Sequence, residues 1–340
     1  MHPVFFVLEV LTASLGSLDD GDLSASSALK RFREEYPPAA MRLIEKVDNV
    51  ELRIRRRRRM LDGREVKSNE RLARKGYSIV RDAAINTDTK TPIWTVLCRT
   101  HSKIFNLGKP DASAPFVLGG QDTVDDPKGE EAIRIGSYVE RYADCMVAVV
   151  GNRLVDLLRD PSFDIKHARE SKEDGQEIVL IEFSGKLSEG DSKADVEGTI
   201  KLAPRLGWPI VEVNATSHPR MMKGLLPVPG APSLTLNAKM TYTMMGGDTH
   251  LKSFHERAGD SLSGKYQDDE VDVIESKYGS VTDDQFTLGA FGLPEVPLRP
   301  RPASAFFSWK SPAIWITLSL CVITFGSMVL LRRRARARAA

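Results

Sequence analysis

Apolar and polar residues alternate along two long parts of the chain, residues 49–111 and about 177–278. A repeat of two predicts antiparallel β-strands with one buried and one solvated face. Short turn sequences such as Asp62-Gly63 separate the strands, so each part is predicted to be an antiparallel meander. The clearest strand covers residues 234–244, where every second residue is apolar: Leu234, Leu236, Ala238, Met240, Tyr242 and Met244.

Two other parts carry apolar residues at helical spacing. Residues 24–48 are amphipathic, and Pro37-Pro38 is expected to divide them into two short helices. Residues 129–160 are predicted to form one long helix or two, ended by Pro161. Residues 111–128 contain Gly119-Gly120 and four aspartates and are predicted to be a loop.

This order of elements predicts an α+β domain over residues 24–293. Strands twist, and a sheet with this many strands coils instead of staying flat. We therefore expect a large curved antiparallel sheet, an incomplete β-barrel with helices on its concave face. A C-terminal transmembrane helix is expected to follow this domain.

The transmembrane helix is predicted from residues 313–331, 19 uncharged residues that span about 28 Å as a helix. A Pro-rich linker, residues 294–312, precedes this span. The tail, residues 332–340, holds five arginines, so the positive-inside rule places it in the cytoplasm and the main domain on the other side. The alternative is a tail-anchored cytoplasmic protein, which would have to translocate those arginines.

Residues 1–17 have the apolar character of a signal peptide, with Ser14-Leu15-Gly16 as a small-residue cleavage site before Ser17. However, this segment has no Lys or Arg, and Glu9 interrupts its apolar run. The alternative is an apolar leader or first strand that packs on the domain.

Composition and charge exclude several classes of function. Without the five tail arginines, 43 basic residues face 46 acidic ones, which argues against a nucleic-acid-binding protein. Cys321 lies in the predicted span, while Cys98 and Cys145 are either two buried thiols or a disulfide. The chain carries none of the common catalytic or nucleotide-binding motifs and no zinc-type spacing. The sequence therefore predicts no enzyme, no cofactor and no metal site.

The element order over residues 24–293 resembles the outer-membrane lipoprotein-carrier fold, an incomplete barrel closed by helices that also occurs in envelope-stress sensing proteins. Residues 283–295 have the sequence DDQFTLGAFGLPE. Together with the linker, span and tail, this pattern is similar to that of a group of uncharacterised planctomycete-type envelope proteins. The first resemblance implies a site for a lipid or lipoprotein, and the second implies a location in the cell envelope.

Two sets of residues are candidates for binding. Met240, Tyr242, Met244 and Leu236 share one face of the clearest strand, where they would line a cavity for a hydrophobic ligand or fill an ordinary core. The second set is the arginine run Arg55, Arg56, Arg57, Arg58 and Arg59, whose alternate side chains point to opposite faces of a strand. This run is either a solvated sheet face or a patch for anionic headgroups or an acidic partner.

The sequence therefore predicts a single-pass, extracytoplasmic binding protein on the periplasmic side of the cell membrane. Its expected ligand is a lipid, a lipoprotein or another hydrophobic molecule. The alternative is a structural or signalling module of the cell envelope that has a filled core and binds a protein partner.

Overall fold

The computed structural model describes residues 20–86, 92–123, 140–189, 192–219, 233–260 and 264–296. The predicted signal peptide, transmembrane helix and basic tail lie outside these residues. Within the described part, no helix combines the length and the apolar character that crossing a membrane requires.

Most of the described residues belong to β-strands. The α-helices with both ends among the described residues are α1 (Asp20–Val47) and α2 (Leu154–Leu157), and short 3-10 helices occur at Asp144–Met146, Pro204–Leu206, Asp283–Phe286 and Leu288–Phe291. The first strands are β1 (Asn49–Arg59), β2 (Glu65–Lys75), β3 (Ser78–Asn86), β4 (Ile93–Arg99), β5 (Lys103–Lys109), β6 (Val117–Thr123), β7 (Ala148–Val149) and β8 (Asn152–Arg153). The later strands are β9 (Asp164–Glu173), β10 (Gln176–Glu189), β11 (Ser192–Leu202), β12 (Ile210–Pro219), β13 (Leu234–Met245), β14 (Asp248–Asp260) and β15 (Tyr266–Tyr278).

Thirteen of the described strands form one antiparallel sheet. Its order is β6-β5-β4-β3-β2-β1-β15-β14-β13-β12-β11-β10-β9, while β7 and β8 make a separate two-stranded hairpin. Strand β1 pairs with both β2 and β15, so it joins the two predicted meanders into one sheet. The edges are β6 and β9, and the sheet is open, as the sequence predicted.

Register shifts bend the sheet. They interrupt the β1–β15, β5–β6, β9–β10, β11–β12 and β13–β14 pairs, and such bulges increase local twist and curvature. At Gly198 in β11, a Cβ atom would lie 2.0 Å from the backbone oxygen of Asn214 in β12. Only glycine fits this approach of two strands, which is a common feature of sharply bent sheets.

The inner face of the sheet, defined as the face that contacts α1, carries the main core. Helix α1 crosses one end of this face: Arg31 pairs with Glu177 at the start of β10, and Lys46 pairs with Asp248 at the start of β14. The buried face of α1 contributes apolar side chains to the core, namely Ala28, Phe32, Tyr36, Ala39, Ala40, Leu43, Ile44 and Val47. The helix therefore closes one end of the inner face.

The prediction of two short helices over residues 24–48 is wrong, because α1 continues through Pro37 and Pro38. These prolines have no N–H groups to bond the carbonyls of Arg33 and Glu34, but both of those residues are exposed, so water can satisfy the carbonyls. On both sides of the prolines, α1 buries large side chains such as Phe32 against the sheet. Tertiary packing thus outweighs the local preference for a break.

The prediction of a long helix over residues 129–160 is wrong for its described part. Residues 140–143 are helical, but the 3-10 helix Asp144–Met146, the β7–β8 hairpin and α2 follow. Val150 and Gly151 have positive φ angles of 48° and 76°, which a continuous helix does not allow. The apolar residues of this segment instead fill the middle of the inner face, with Tyr142, Met146 and Leu154 buried.

A second core lies on the outer face, the opposite side of the sheet, over β2 to β5. Residues 279–295 cross this face, and Val281, Phe286 and Leu288 pack there against strand residues. Polar contacts hold the segment in place: Lys103 bonds Glu295 at 2.7 Å, and the Arg71 guanidinium donates to Gln285 at 2.6 Å. The sequence pattern of residues 283–295 therefore forms a cover for the outer face.

The two cysteines of the domain are both free and buried. Cys98 belongs to the outer core and Cys145 to the inner core, so the sheet separates them. This arrangement decides between the two alternatives in favour of buried thiols.

Two strands of the thirteen-stranded sheet were not predicted from the sequence. Strand β6 lies within residues 111–128, which were expected to be a loop, so that expectation is wrong for Val117–Thr123. Strand β9 is almost entirely polar and buries only Ala168. Both are edge strands, where exposure on several sides removes the apolar alternation that reveals a strand.

Candidate functional site

Charged side chains replace apolar ones at the centre of the inner face. In β1, Arg56 and Arg58 continue the inward series of Leu52 and Ile54. Glu70 in β2 and Asp269 in β15 likewise occupy inward positions and are buried. With Arg81, Arg141 and Glu256, these residues form what we call the charged cluster: Arg56, Arg58, Arg81, Arg141, Glu70, Glu256 and Asp269.

Asp269 is surrounded by donors from the charged cluster and from Tyr142. It is fully buried and accepts hydrogen bonds from Nε and Nη2 of Arg56, each at 2.7 Å. The hydroxyl of Tyr142 donates to it at 3.0 Å, and Nη1 of Arg141 lies 3.4 Å away. A bidentate pair with an additional donor is the geometry that makes burial of an ion pair tolerable.

Glu70 forms a second closed unit beside this pair. Nε and Nη2 of Arg81 donate to its two oxygens at 2.7 and 2.8 Å, and the hydroxyl of Ser68 donates at 2.6 Å. Arg56 lies 3.7 Å from Glu70 and so links the two units. Glu70 is therefore held between guanidinium groups on the two adjacent strands, and Asp269 between Arg56 of β1 and Arg141 of the helical residues 140–143.

The other two arginines lie farther along the inner face. Arg141 pairs with Glu256, to which its Nε donates at 3.2 Å. Arg58 donates from Nη2 to the amide oxygen of Gln267 at 2.7 Å, while its Nε is buried without an acceptor among the described residues. Arg58 thus has a neutral partner where the other three arginines have carboxylates.

The pKa shifts follow from these contacts. Burial alone would raise the pKa of Asp269, but the hydrogen bonds and charge of Arg56, together with Arg141, hold it below its ordinary value. Burial opposes the same lowering at Glu70, where Arg81 and Ser68 outweigh it. Burial raises the pKa of Glu256, because pairing with Arg141 does not offset the desolvation.

We expect the contribution of Glu256 to stability to change with pH in the opposite direction from the contributions of Asp269 and Glu70. Asp269 and Glu70 have lowered pKa values, so their contribution is present above their unfolded pKa of about 4 and is lost as pH falls through the folded pKa. Glu256 has a raised pKa, so its contribution is full below an unfolded pKa of about 4.3 and is lost as pH rises through the folded pKa. The variant Glu256→Gln should therefore gain stability relative to the native chain as pH rises.

Urea unfolding of the native chain and of Glu256→Gln at acidic and neutral pH measures this difference. A difference in unfolding free energy that does not change with pH would contradict the raised pKa of Glu256.

The structure brings together only part of the predicted apolar set on β13. Met240 is 5% exposed and belongs to the inner core, and Leu236 and Tyr242 are partly buried against the same core. The hydroxyl of Tyr242 bonds the backbone oxygen of Ile210. Met244 is 49% exposed at the end of β13, next to Thr249. Met240 and Leu236 therefore share a face of the sheet, while Met244 lies at its margin.

The arginine run divides between the two faces, as its alternation predicted. Arg55, Arg57 and Arg59 are exposed on the outer face, whereas Arg56 is buried and Arg58 partly buried on the inner face. Arg57 is paired with Glu270 of β15. Arg55 and Arg57 line a shallow outer cleft of about 570 Å³. The outer patch for an anionic partner remains a prediction, and it consists of the three outward arginines.

The acidic members of the charged cluster were not predicted from the sequence. Glu70 and Asp269 occupy the same alternation phase as the inward residues Leu72, Val271 and Val273. A charged residue at a position where the alternation predicts an inward apolar residue is the sequence signal that would have identified them. The pairing of β1 with β15, 213 residues apart at the Arg56–Asp269 contact, is what brings them together.

The described fold is similar to that of a solved structure. It is the crystal structure of a DUF1329 family protein from Desulfovibrio piger ATCC 29098, with a TM-score of 0.37 and 10% sequence identity. The superposition covers 75% of this chain and 97% of that chain. No family model and no curated protein matches the sequence. A likeness this low does not extend to function.

Proposed function

We propose that the chain is a membrane-tethered binding protein of the cell envelope that holds an amphipathic ligand, a lipid or a lipidated protein, on the inner face of its sheet. The tether is the apolar segment 313–331, and its arginine-rich tail favours an extracytoplasmic position for the domain. The proposal assigns binding without catalysis. In support, Asp269 and Glu70 are held between arginines that lower the pKa values of both carboxyl groups. The two carboxylates are therefore poor proton donors and acceptors near neutral pH.

One observation carries the proposal: the end of the inner face opposite α1 combines apolar and positively charged side chains that remain partly exposed. We call it the distal end and define it by Arg58, Leu236, Ala258 and Gln267, which lie on neighbouring strands and are each partly exposed. Leu236 pairs with Ala258, and Ala258 with Gln267, across β13, β14 and β15. An apolar wall beside a guanidinium group is suited to an amphiphile.

Elsewhere on the inner face, helix α1 and core side chains already cover the sheet, so we expect the ligand to bind at the distal end. Helix α1 covers the opposite end, and the buried residues Tyr142, Met146 and Leu154 occupy the middle. Met240 is therefore part of the core in this structure, and the partly exposed Leu236 is the member of the predicted set placed to contact a ligand.

The substitution Leu236→Glu should weaken binding of an uncharged apolar probe, N-phenyl-1-naphthylamine, at least tenfold. Burying a leucine side chain contributes about 1.5–3 kcal/mol, and a carboxylate in its place would have to be desolvated. Fluorescence titration of residues 20–296, which contain all described residues of both cores, measures the affinity.

Thr243→Glu on the exposed outer side of the same strand is the matched control and should bind like the native chain. Equal affinity of Leu236→Glu and native protein would exclude the distal end as the binding surface.

A second candidate function is an interaction module whose outer face binds an acidic envelope partner. The observation that favours it is the outward position of Arg55 and Arg59, for which no ion pair is present among the described residues. This candidate requires no ligand at the distal end. It would gain support if the extracted protein carried no lipid and if Arg55→Glu abolished cross-linking to an envelope protein.

A further inference from the structure

Arg58 stands apart from the other arginines of the charged cluster. Arg56 and Arg81 each make two hydrogen bonds to a carboxylate, and Arg141 pairs with Glu256. The hydrogen bond that Arg58 makes within the described residues goes to Gln267, a neutral side chain. Its Nε–H is buried with no acceptor there. The described residues therefore leave part of the donor capacity of this planar guanidinium unused.

The net charge of the charged cluster also favours an anion-binding site at Arg58. Four guanidinium groups face three carboxylates, so one positive charge is not compensated within the cluster. Burial and the adjacent charge of Arg56 lower the pKa of Arg58, so its charged form is destabilised in the folded protein. Uncompensated buried charge costs stability and is a recurrent feature of binding sites that receive an opposite charge from a ligand.

The position of Arg58 relative to the apolar wall defines the kind of anion. Leu236, Ala258 and Gln267 lie in register on β13, β14 and β15, and β1 with Arg58 is the next strand. Arg58 pairs with Asp269, two residues along β15 from Gln267, so with strands about 4.8 Å apart Leu236 and Arg58 are separated by about 16 Å. A molecule with an apolar tail and an anionic end can therefore contact both residues at once.

We propose that Arg58 is the headgroup subsite of the distal end and binds the phosphate monoester or comparable anionic group of an amphiphile, whose apolar part lies along Ala258 and Leu236. This inference rests on the proposed function and adds the charge of the ligand to it. The guanidinium fork matches phosphate oxygens in a bidentate manner, which an ammonium group does not. Free phosphate presents the same oxygens, so the test separates it from a lipid headgroup.

The experiment uses the full-length chain in an uncharged polyoxyethylene detergent and native mass spectrometry. Dodecyl phosphate and inorganic phosphate are titrated separately into the native chain and into Arg58→Gln, Arg58→Lys and Arg53→Gln. Arg53 lies on the same strand but is exposed on the outer face and belongs to neither candidate binding surface, so it controls for a general loss of positive charge. Thermal unfolding of each ligand-free variant provides a second readout.

We expect dodecyl phosphate to bind the native chain and Arg53→Gln alike, and Arg58→Gln at least tenfold more weakly. Arg58→Lys should fall between them, because it keeps the charge without the fork. Arg58→Gln should unfold at the same or a higher temperature than the native chain, since it removes an unfavourably placed charge. A functional residue that lowers stability behaves in this way, whereas a purely structural one does not.

The other outcomes separate the two proposals. Arg58-dependent binding of inorganic phosphate as tight as that of dodecyl phosphate would support the subsite and identify free phosphate as its ligand. If dodecyl phosphate binds Arg58→Gln as tightly as the native chain, the headgroup subsite is overturned and amphiphile binding stands. If the native chain binds no dodecyl phosphate and retains no detergent molecule, both the subsite and the proposed function are overturned.

Discussion

Replacing Asp269 with asparagine is expected to lower the free energy of unfolding by about 3–5 kcal/mol, because removing one partner of a buried ion pair leaves the other charge unpaired. Asp269 is fully buried and accepts hydrogen bonds from Arg56 and Tyr142. An asparagine would present an NH₂ group to one of these donors and remove the charge that compensates Arg56. Urea unfolding of residues 20–296 measures the loss.

The neighbouring residue offers a matched control. Asp268 precedes Asp269 in β15, is partly exposed, and lies 3.8 Å from the Arg257 guanidinium. Partly exposed ion pairs contribute about 0–1 kcal/mol, so Asp268→Asn should change stability by no more than that. Equal effects at the two positions would mean that the charged cluster is not the buried network described above.

Replacing Phe286 with alanine is expected to destabilise the domain by about 3–5 kcal/mol, the usual loss for a buried phenylalanine. Phe286 is 2% exposed and lies in the outer core with Val281 and Leu288. The loss of this anchor should also release residues 279–295 from the sheet. Urea unfolding and limited proteolysis of the same sample measure the two effects.

Ile274→Ala is the control for this substitution. Ile274 is 62% exposed on β15, so its truncation should change stability little. Native-like stability and unchanged proteolysis of Phe286→Ala would contradict the assignment of residues 279–295 as the cover of the outer face.

The alternation of apolar and polar residues was sufficient to predict most of the sheet. It works for central strands such as β13, where Ala238 and Met240 are buried and Lys239 and Thr241 are exposed. It fails at the edge strand β9, whose residues have little contact with a core. The helical spacing of residues 146–158 was misleading, because an irregular segment surrounded by core buries apolar side chains at many spacings.

The candidate site was less predictable than the fold. The arginine run is obvious in the sequence, and its division between two faces follows from the geometry of a strand. The carboxylates that neutralise Arg56 and Arg81 come from other strands, and Asp269 is contributed by a strand at the far end of the domain sequence. Likewise, only the structure shows that Arg58 donates to Gln267, while Asp269, its register partner on β15, is bonded by Arg56.

The charged cluster and the distal end have different consequences for the protein. The paired members Arg56, Asp269, Arg81 and Glu70 contribute to folding, since each buried charge is compensated by its neighbour. Arg58 and Leu236 are partly exposed and contribute less to the core. Substitutions in the first group should therefore reduce stability, and substitutions in the second group should reduce binding.

Native mass spectrometry of the full-length chain, extracted from its own membrane with an uncharged detergent, shows whether the protein holds an amphiphile. We expect a lipid or acyl adduct on the native chain and on Thr243→Glu, and its loss from Leu236→Glu. A native chain that carries no adduct, with a mass equal to that of the polypeptide alone, would contradict amphiphile binding and favour the interaction module.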